Sequence, residues 1–244
     1  MFSDLFDFLP RRNCHFWRAI SDIRLITFYH SSLVYMGVGT TGYATTYFMP
    51  TILNEFGWAA QTAQVRTIPV YVVSAAGMLF AAWASDRMRQ RYVWIVIGTL
   101  IATIGFGILL GQTGLSRDTK YAAIFLVSLG GYMSTPIALA WMANNMSGHW
   151  KRAFGSGFQI TLGNIAGIIA SNIFLAWESP KYPTGYGVTF AMMWLGTIAA
   201  TVLYLLLRRE NATRDAGKRD DRLERPEEEV NNMGDYHPSF RFTL

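Results

Sequence analysis

The sequence predicts an all-α, polytopic membrane protein, a bundle of six transmembrane helices. Of its 244 residues, 51% are hydrophobic and only 15% are charged, which is too apolar for an ordinary soluble domain. Six continuous apolar runs have roughly the 20 residues that a helix needs to cross the core of a bilayer. The runs are about twice as long as a barrel strand and lack period-two alternation, so helices are favoured over a transmembrane barrel.

The six runs are almost free of charge. After His30, near the start of the first run, none of them contains Asp, Glu, Lys, Arg or His. Asp, Lys and Arg cost about 2.5–3.5 kcal/mol each at the centre of an inserted helix, so their absence fits a membrane interior. The predicted spans are 26–50, 67–85, 92–111, 121–143, 154–177 and 187–207.

The loops between the runs predict the orientation. Eleven Lys and Arg residues flank one side of the predicted membrane and four flank the other. By the positive-inside rule both termini are cytoplasmic, in a membrane that we expect to be the plasma membrane. The basic residues form no continuous stripe, so the net charge of +5 indicates the lipid bilayer as partner and not nucleic acid. The four Lys and Arg residues on the side opposite the termini are Arg66, Arg117, Lys120 and Lys181.

Composition divides the chain into three parts. Residues 1–25 are predicted to be a cytoplasmic leader or interface segment, and residues 26–207 the six-helix domain. Residues 208–244 hold eight of the 21 Lys and Arg and nine of the 16 Asp and Glu, which predicts a disordered cytoplasmic tail. The single cysteine, Cys14, has no partner for a disulfide or a zinc site, and neither a metal, a cofactor nor a catalytic residue is predicted.

The fifth span carries a face of small and polar residues. From Ser156 to Ser171, steps of three and four residues place Gln159, Gly163 and Asn164 on one side of a helix. This face is either a tight packing seam between helices or the wall of a water-filled cavity, in which Gln159 and Asn164 bind a polar solute.

Two other spans are polar enough to contact a solute. The fourth contains Tyr132 and a Thr135-Pro136 pair, where the proline is expected to kink the helix. It ends in Asn144-Asn145, which either cap the helix or contact a solute or gate. The first span, with Tyr43 and Tyr47 among many glycines and threonines, is too polar for a helix that faces lipid.

Charged residues in two loops have alternative interpretations. Asp86 stands just beyond the second span and is followed by Arg87, Arg89 and Arg91, so an ion pair could form in one conformation and break in another. We therefore predict a conformational gate of Asp86, Arg87 and Arg91. On the far side, Arg66 is either a solvated loop arginine or a substrate clamp.

These motifs resemble the C-terminal six-helix half of a major facilitator superfamily transporter. The Asp86-Arg87-x-Arg89-x-Arg91 loop is similar to that superfamily's short cytoplasmic signature, although Ala82 stands where glycine is usual. Four further motifs resemble the fungal allantoate permease-like branch, the anion:cation symporters. They are Phe48-Met-Pro50-Thr-Ile, Trp141-x-x-Asn144-Asn145-x-x-Gly148-x-x-Lys151-Arg152, Gly163-Asn164-x-x-Gly167-Ile-Ile-Ala-Ser171 and Pro180-x-Tyr182-x-x-Gly185-Tyr186.

The resemblance implies transport of a small organic anion or vitamin, such as allantoate, nicotinate, pantothenate or biotin, usually together with protons. It also implies that the first and fourth spans line a central cavity and that the second and fifth face a complementary N-terminal half. The expected cavity-lining residues are Tyr43, Tyr47, Tyr132, Thr135, Asn144, Asn145, Gln159 and Asn164.

Two other functions remain open at this point. A membrane scaffold or regulatory subunit without transport is compatible with every feature of the sequence. An intramembrane serine peptidase is suggested only by Gly155-Ser156-Gly157, and its base would have to be His30 or His149. Coupled transport by the six spans alone is not expected, because alternating access needs two halves around a shared site.

Overall fold

The computed structural model describes residues 23–231 and 233–244. Within these ranges the chain forms six long helices, one short helix (α7) and a few single 3₁₀ turns, without strands, so the predicted all-α polytopic bundle is confirmed. The predicted leader, residues 1–25, lies outside the described residues except for its last three, which belong to α1. The helices are α1 (Ile23–Glu55), α2 (Ala60–Met88), α3 (Arg91–Leu110), α4 (Arg117–Asn144), α5 (His149–Ile173), α6 (Pro183–Asp215) and α7 (Glu227–Asn231).

Five helices among the described residues, α2 to α6, are long and apolar enough to cross a membrane. Helix α1 is long enough at 33 residues but carries too many polar residues to meet the same criterion. Several of its hydroxyl groups are nevertheless satisfied within the helix, because Ser32, Thr40 and Thr45 each donate a hydrogen bond to the carbonyl four residues earlier. This bond removes the cost of an unpaired hydroxyl in an apolar environment.

Helix α1 occupies the centre of the bundle and packs against α4, α5, α6 and α2. Its approach to α6 depends on two glycines: a Cβ added to Gly37 would lie 2.8 Å from the Cα of Gly196. Helices α3 and α4 meet in the same way, because a Cβ on Gly98 would lie 2.7 Å from the carbonyl oxygen of Gly130. Small residues at these crossings permit the backbone contact that holds membrane helices together.

The bundle has two ends. At one, which we call the tail end, Lys151 at the start of α5 pairs with Asp235, and the main-chain N–H of Arg91 donates to the carbonyl of Leu244 at 2.5 Å. At the opposite end, Gln112 after α3 donates to the main chain of Lys181 at 2.7 Å. The six long helices therefore run alternately up and down, in agreement with the predicted order of loops.

The prediction of a disordered tail from residue 208 is wrong for the described residues. Helix α6 continues to Asp215, and the last five residues, 240–244, lie across the tail end as an extended strap. The side-chain amide of Asn211 makes two hydrogen bonds with the main chain of Phe242, both of 2.9 Å. The side-chain amide of Asn145 likewise makes two hydrogen bonds with the main chain of Thr243. The indole N–H of Trp141 also donates to the carbonyl of Thr243, at 2.9 Å.

Two physical effects order the tail. Its charges neutralise one another, because the Glu210 carboxylate accepts from Arg214 at 3.0 Å and from Arg219 at 2.8 Å. The strap also has an apolar anchor, Phe242, which is 5% exposed and packs in one cluster with Trp141 and Leu207. Composition predicted disorder because it averages over the whole tail and hides this short apolar segment at its end.

Candidate functional site

A polar surface within the long helices joins α1 to α5. The Tyr43 hydroxyl donates to the Oδ1 atom of Asn164 at 2.6 Å, although the two residues are 121 positions apart in the chain. Gly167, one turn beyond Asn164, lies beside the tyrosine ring, because a Cβ at that position would be in ordinary van der Waals contact with it, 3.6 Å from three ring atoms. Tyr47 lies one turn along α1, with its ring centroid 5.9 Å from that of Tyr43, and is 49% exposed.

The same face of α1 also contacts α4 and α2. The hydroxyl groups of Thr46 and Tyr132 are 3.0 Å apart and share a hydrogen bond. The ring of Tyr132 meets that of Tyr71 on α2 edge to face, with 6.1 Å between centroids. We call these six residues the tyrosine–asparagine cluster: Tyr43, Thr46, Tyr47, Tyr71, Tyr132 and Asn164.

The cluster lies at mid-depth of the bundle. Its members on α2, α4 and α5 stand between nine and fifteen residues from the helix ends at the opposite end, which is roughly 14–22 Å at 1.5 Å per residue. Apolar surfaces flank it: α2 exposes Val72 and Phe80, and α5 exposes Ile160 and Ile168. The arrangement is a polar strip between two apolar helix faces, with phenol, hydroxyl and amide groups that can bind a polar solute.

Two of the predicted cavity-lining residues are placed elsewhere. Gln159 is 0% exposed, and its amide nitrogen donates to the main-chain carbonyls of Ser31 on α1 and Ala138 on α4, at 3.1 and 3.2 Å. It links three helices and does not line a cavity in this structure. Asn145 is the C-cap residue of α4, where its main-chain N–H donates to the carbonyl of Met142 at 3.1 Å, and its buried side chain is bound to the strap, as described above.

Two further candidates lie outside the cluster. Thr135 is half-buried, and its hydroxyl donates to the carbonyl of Gly131 within α4, at 3.1 Å. Asn144 is exposed at the tail end, at the last residue of α4. The fifth-span face thus divides in two: Gln159 and Gly163 pack into the bundle, whereas Asn164 reaches the surface.

The predicted gate is only partly assembled. Asp86 forms an ion pair with Arg91, and Arg91 also donates to the hydroxyl of Ser85, at 3.3 Å. Arg91 is buried while Asp86 is 65% exposed. Arg87 is exposed in the last turn of α2, where an arginine interacts favourably with the helix dipole.

Thr46 and Tyr71 are cluster residues that sequence reasoning did not select. The signal for Thr46 is its position in the polar first span, three residues after Tyr43 and one before Tyr47, which keeps all three on one helix face. Tyr71 is the only tyrosine in the predicted second span. Its pairing with Tyr132 depends on the packing of α2 against α4, which no local pattern predicts.

The fold and the cluster define a polytopic helical membrane protein with a polar strip at the depth where transporters bind solutes. The profile of the Major Facilitator Superfamily matches residues 14–235 of this chain. The chain belongs to the Major Facilitator Superfamily, and this membership indicates a transporter rather than an enzyme.

Individual relatives are fungal transporters. The chain is 34% identical over 202 residues to the uncharacterized transporter C11D3.18C of Schizosaccharomyces pombe, covering 83% of this chain and 39% of the relative. It is 35% identical over 208 residues to the MFS-type transporter cnsO of Penicillium expansum, covering 83% and 40%. It is 26% identical over 227 residues to the high-affinity nicotinic acid transporter of Saccharomyces cerevisiae, covering 93% and 42%.

The chain therefore spans about two fifths of the length of the curated relatives that it matches. No solved structure is significantly similar to it.

Proposed function

We propose that the chain forms the C-terminal half of a transporter for a small organic anion of the vitamin type, in the allantoate permease-like branch, with all six long helices crossing the membrane. The observation that carries this proposal is the tyrosine–asparagine cluster. Four helices, α1, α2, α4 and α5, contribute polar side chains to one surface strip at mid-depth. A scaffold would not need polar groups there, because each costs free energy when it faces lipid.

The chemistry of the cluster suits a flat polar anion. Tyrosine hydroxyls and the amide group of Asn164 can donate hydrogen bonds to a carboxylate, and the rings of Tyr43 and Tyr47 offer faces against which an aromatic solute can stack. The nicotinic acid transporter among the relatives is named for a solute of this kind.

The cluster contains neither a carboxylate nor a histidine. Proton coupling would then depend on residues outside the cluster, and we assign them to a complementary N-terminal half that faces α2 and α5. The exposed apolar side chains of these two helices, such as Val72, Phe80 and Ile168, would be covered by that half. In the rocking mechanism of secondary transporters, the site lies between two such halves.

The test is uptake of radiolabelled nicotinate into liposomes under an imposed pH gradient. The chain is assayed alone and after co-expression with the N-terminal half of the C11D3.18C transporter. We expect saturable uptake only with both halves, reduced at least tenfold by Tyr43→Phe or Asn164→Leu, because each change removes the hydrogen bond between α1 and α5.

The matched control is Tyr29→Phe, the same substitution at an exposed tyrosine of α1 outside the cluster. It should leave uptake unchanged. Uptake that survives both cluster substitutions would remove the cluster from the transport site. An assembled pair of halves that moves no carboxylate would favour the scaffold or regulatory function.

A further inference from the structure

Three cations gather at the opposite end of the bundle around the turn that joins α1 to α2. The guanidinium carbon of Arg66 lies 4.3 Å from the ring centroid of Trp58, and that of Arg117 lies 4.8 Å from the same centroid. The ammonium of Lys120 lies 5.5 Å from the ring of Phe56. Arg66 belongs to α2, whereas Arg117 and Lys120 belong to the start of α4, so tertiary packing brings them together.

None of the three cations forms an ion pair with the residues that the structure describes. Glu55 and Asp118 are exposed at the same end, but no described carboxylate lies within ion-pair distance of Arg66, Arg117 or Lys120. The amino-terminal end of α4 adds its own positive potential. Like charges held close together without an anion repel one another, and a bound anion would relieve this repulsion.

Arg66 is held in place, and one of its hydrogen-bond donors has no acceptor. The Tyr121 hydroxyl donates to its main-chain carbonyl at 2.8 Å, and its guanidinium carbon lies 5.6 Å from the Tyr121 ring. Trp58, which supports it, is only 7% exposed. The Nε–H group of Arg66 is buried and has no hydrogen-bond acceptor, which is unfavourable for a charged donor.

We propose that Arg66 and Arg117, supported on Trp58, form a capture site for a small organic carboxylate at the entrance to the transporter. A guanidinium fork binds a carboxylate through two parallel hydrogen bonds, and the half-buried ring of Phe56 can pack against the apolar body of the solute. A positive patch at the mouth of a site also raises the local concentration of anions. The inference rests on the proposed function, since it supplies the anion to the tyrosine–asparagine cluster.

The experiment measures benzoate binding to the purified full chain in nanodiscs of uncharged lipid, by saturation-transfer NMR, with neutral benzamide as the comparison. Arg66→Gln and Arg117→Gln should each raise the Kd for benzoate roughly tenfold, as expected for the loss of one charge-assisted hydrogen bond. Arg66→Lys, which keeps the charge but lacks the planar fork, should give a smaller rise. The matched control is Lys181→Gln, which removes one positive charge at the same end of the bundle.

The outcomes separate this site from the tyrosine–asparagine cluster. The capture site is supported if benzoate binding falls with the arginine variants and is unchanged in Tyr43→Phe and Asn164→Leu. It is overturned if Lys181→Gln weakens binding equally, if benzamide binds as well as benzoate, or if only the cluster variants lose binding. In the last case the proposed transport function stands without a capture site. Weak benzoate binding by Arg66→Gln together with normal binding by Arg66→Lys would overturn carboxylate recognition by the guanidinium fork.

Discussion

The side-chain amide of Asn145 and the main chain of Thr243 form a closed pair of hydrogen bonds. The N–H of Thr243 donates to Oδ1 of Asn145 at 2.7 Å, and Nδ2 of Asn145 donates back to the carbonyl of Thr243 at 3.1 Å. Asn211 makes the equivalent pair with Phe242. Two asparagines, one directly after α4 and one on α6, thus hold consecutive residues of the strap in the way a neighbouring β-strand would.

Replacement of Asn145 should release the strap. Asn145→Ala removes two hydrogen bonds to partly buried main-chain groups and should lower the free energy of unfolding by about 1–3 kcal/mol. It should also speed hydrogen exchange and tryptic cleavage at Arg241. Thermal melting in detergent and limited proteolysis are the measurements. The control is Asn144→Ala, at the exposed neighbouring position. This substitution should change neither the melting temperature nor the rate of proteolysis.

The crossing of α3 and α4 should not tolerate a side chain at Gly98. A Cβ there would lie 2.7 Å from the carbonyl oxygen of Gly130, so Gly98→Ala should destabilise the bundle by about 1–3 kcal/mol through overpacking. Gly107, on the same helix, has nothing within 4 Å of its Cβ position. Gly107→Ala should therefore be neutral or stabilise by up to about 1 kcal/mol, because alanine favours a helix. Equal melting temperatures for the two variants would contradict this packing.

The ion pair of Asp86 and Arg91 should affect the rate of conformational change and not substrate affinity. Both residues lie at the tail end, far along the helices from the tyrosine–asparagine cluster. In the assembled transporter, Asp86→Asn should slow transport several-fold and leave the equilibrium Kd for the substrate nearly unchanged. Uptake rate and binding are measured on the same preparation. Asp118→Asn, at the opposite end, serves as the control, and a parallel loss of affinity in Asp86→Asn would refute the gate.

The predicted orientation can be checked by glycosylation mapping. An acceptor sequon inserted near Gly114, in the loop between α3 and α4, should be modified, because the positive-inside rule places that loop away from the cytoplasm. The native Asn211-Ala-Thr213 sequon should remain unmodified, since it lies on the side rich in arginine and its amide is bound to the strap. Modification of Asn211 would reverse the orientation.

The sequence by itself determined the class of protein and the course of the chain. Uncharged apolar runs of about 20 residues without alternation span a membrane as helices, and clusters of basic residues mark the loops between them. The helices and their alternation could therefore be predicted from local patterns. The motifs around Asn164 and Asp86 were sufficient to indicate the transporter superfamily. The polarity of the first span also indicated that α1 does not simply face lipid, and in the structure it lies at the centre.

Tertiary structure alone decided which polar residues share a site. Helical periodicity places Gln159 and Asn164 roughly 140° apart on α5, at the two edges of its polar face. Packing against α1 and α4 buries Gln159 among main-chain carbonyls and leaves Asn164 beside Tyr43. The strap depends on residues about 100 positions apart, such as Asn145 and Thr243. Arg66 and Arg117 both reach the ring of Trp58 only because α2 packs against α4. Local sequence fixes the angle at which a side chain leaves its helix, whereas the rotation and contacts of that helix depend on the surfaces of all its neighbours.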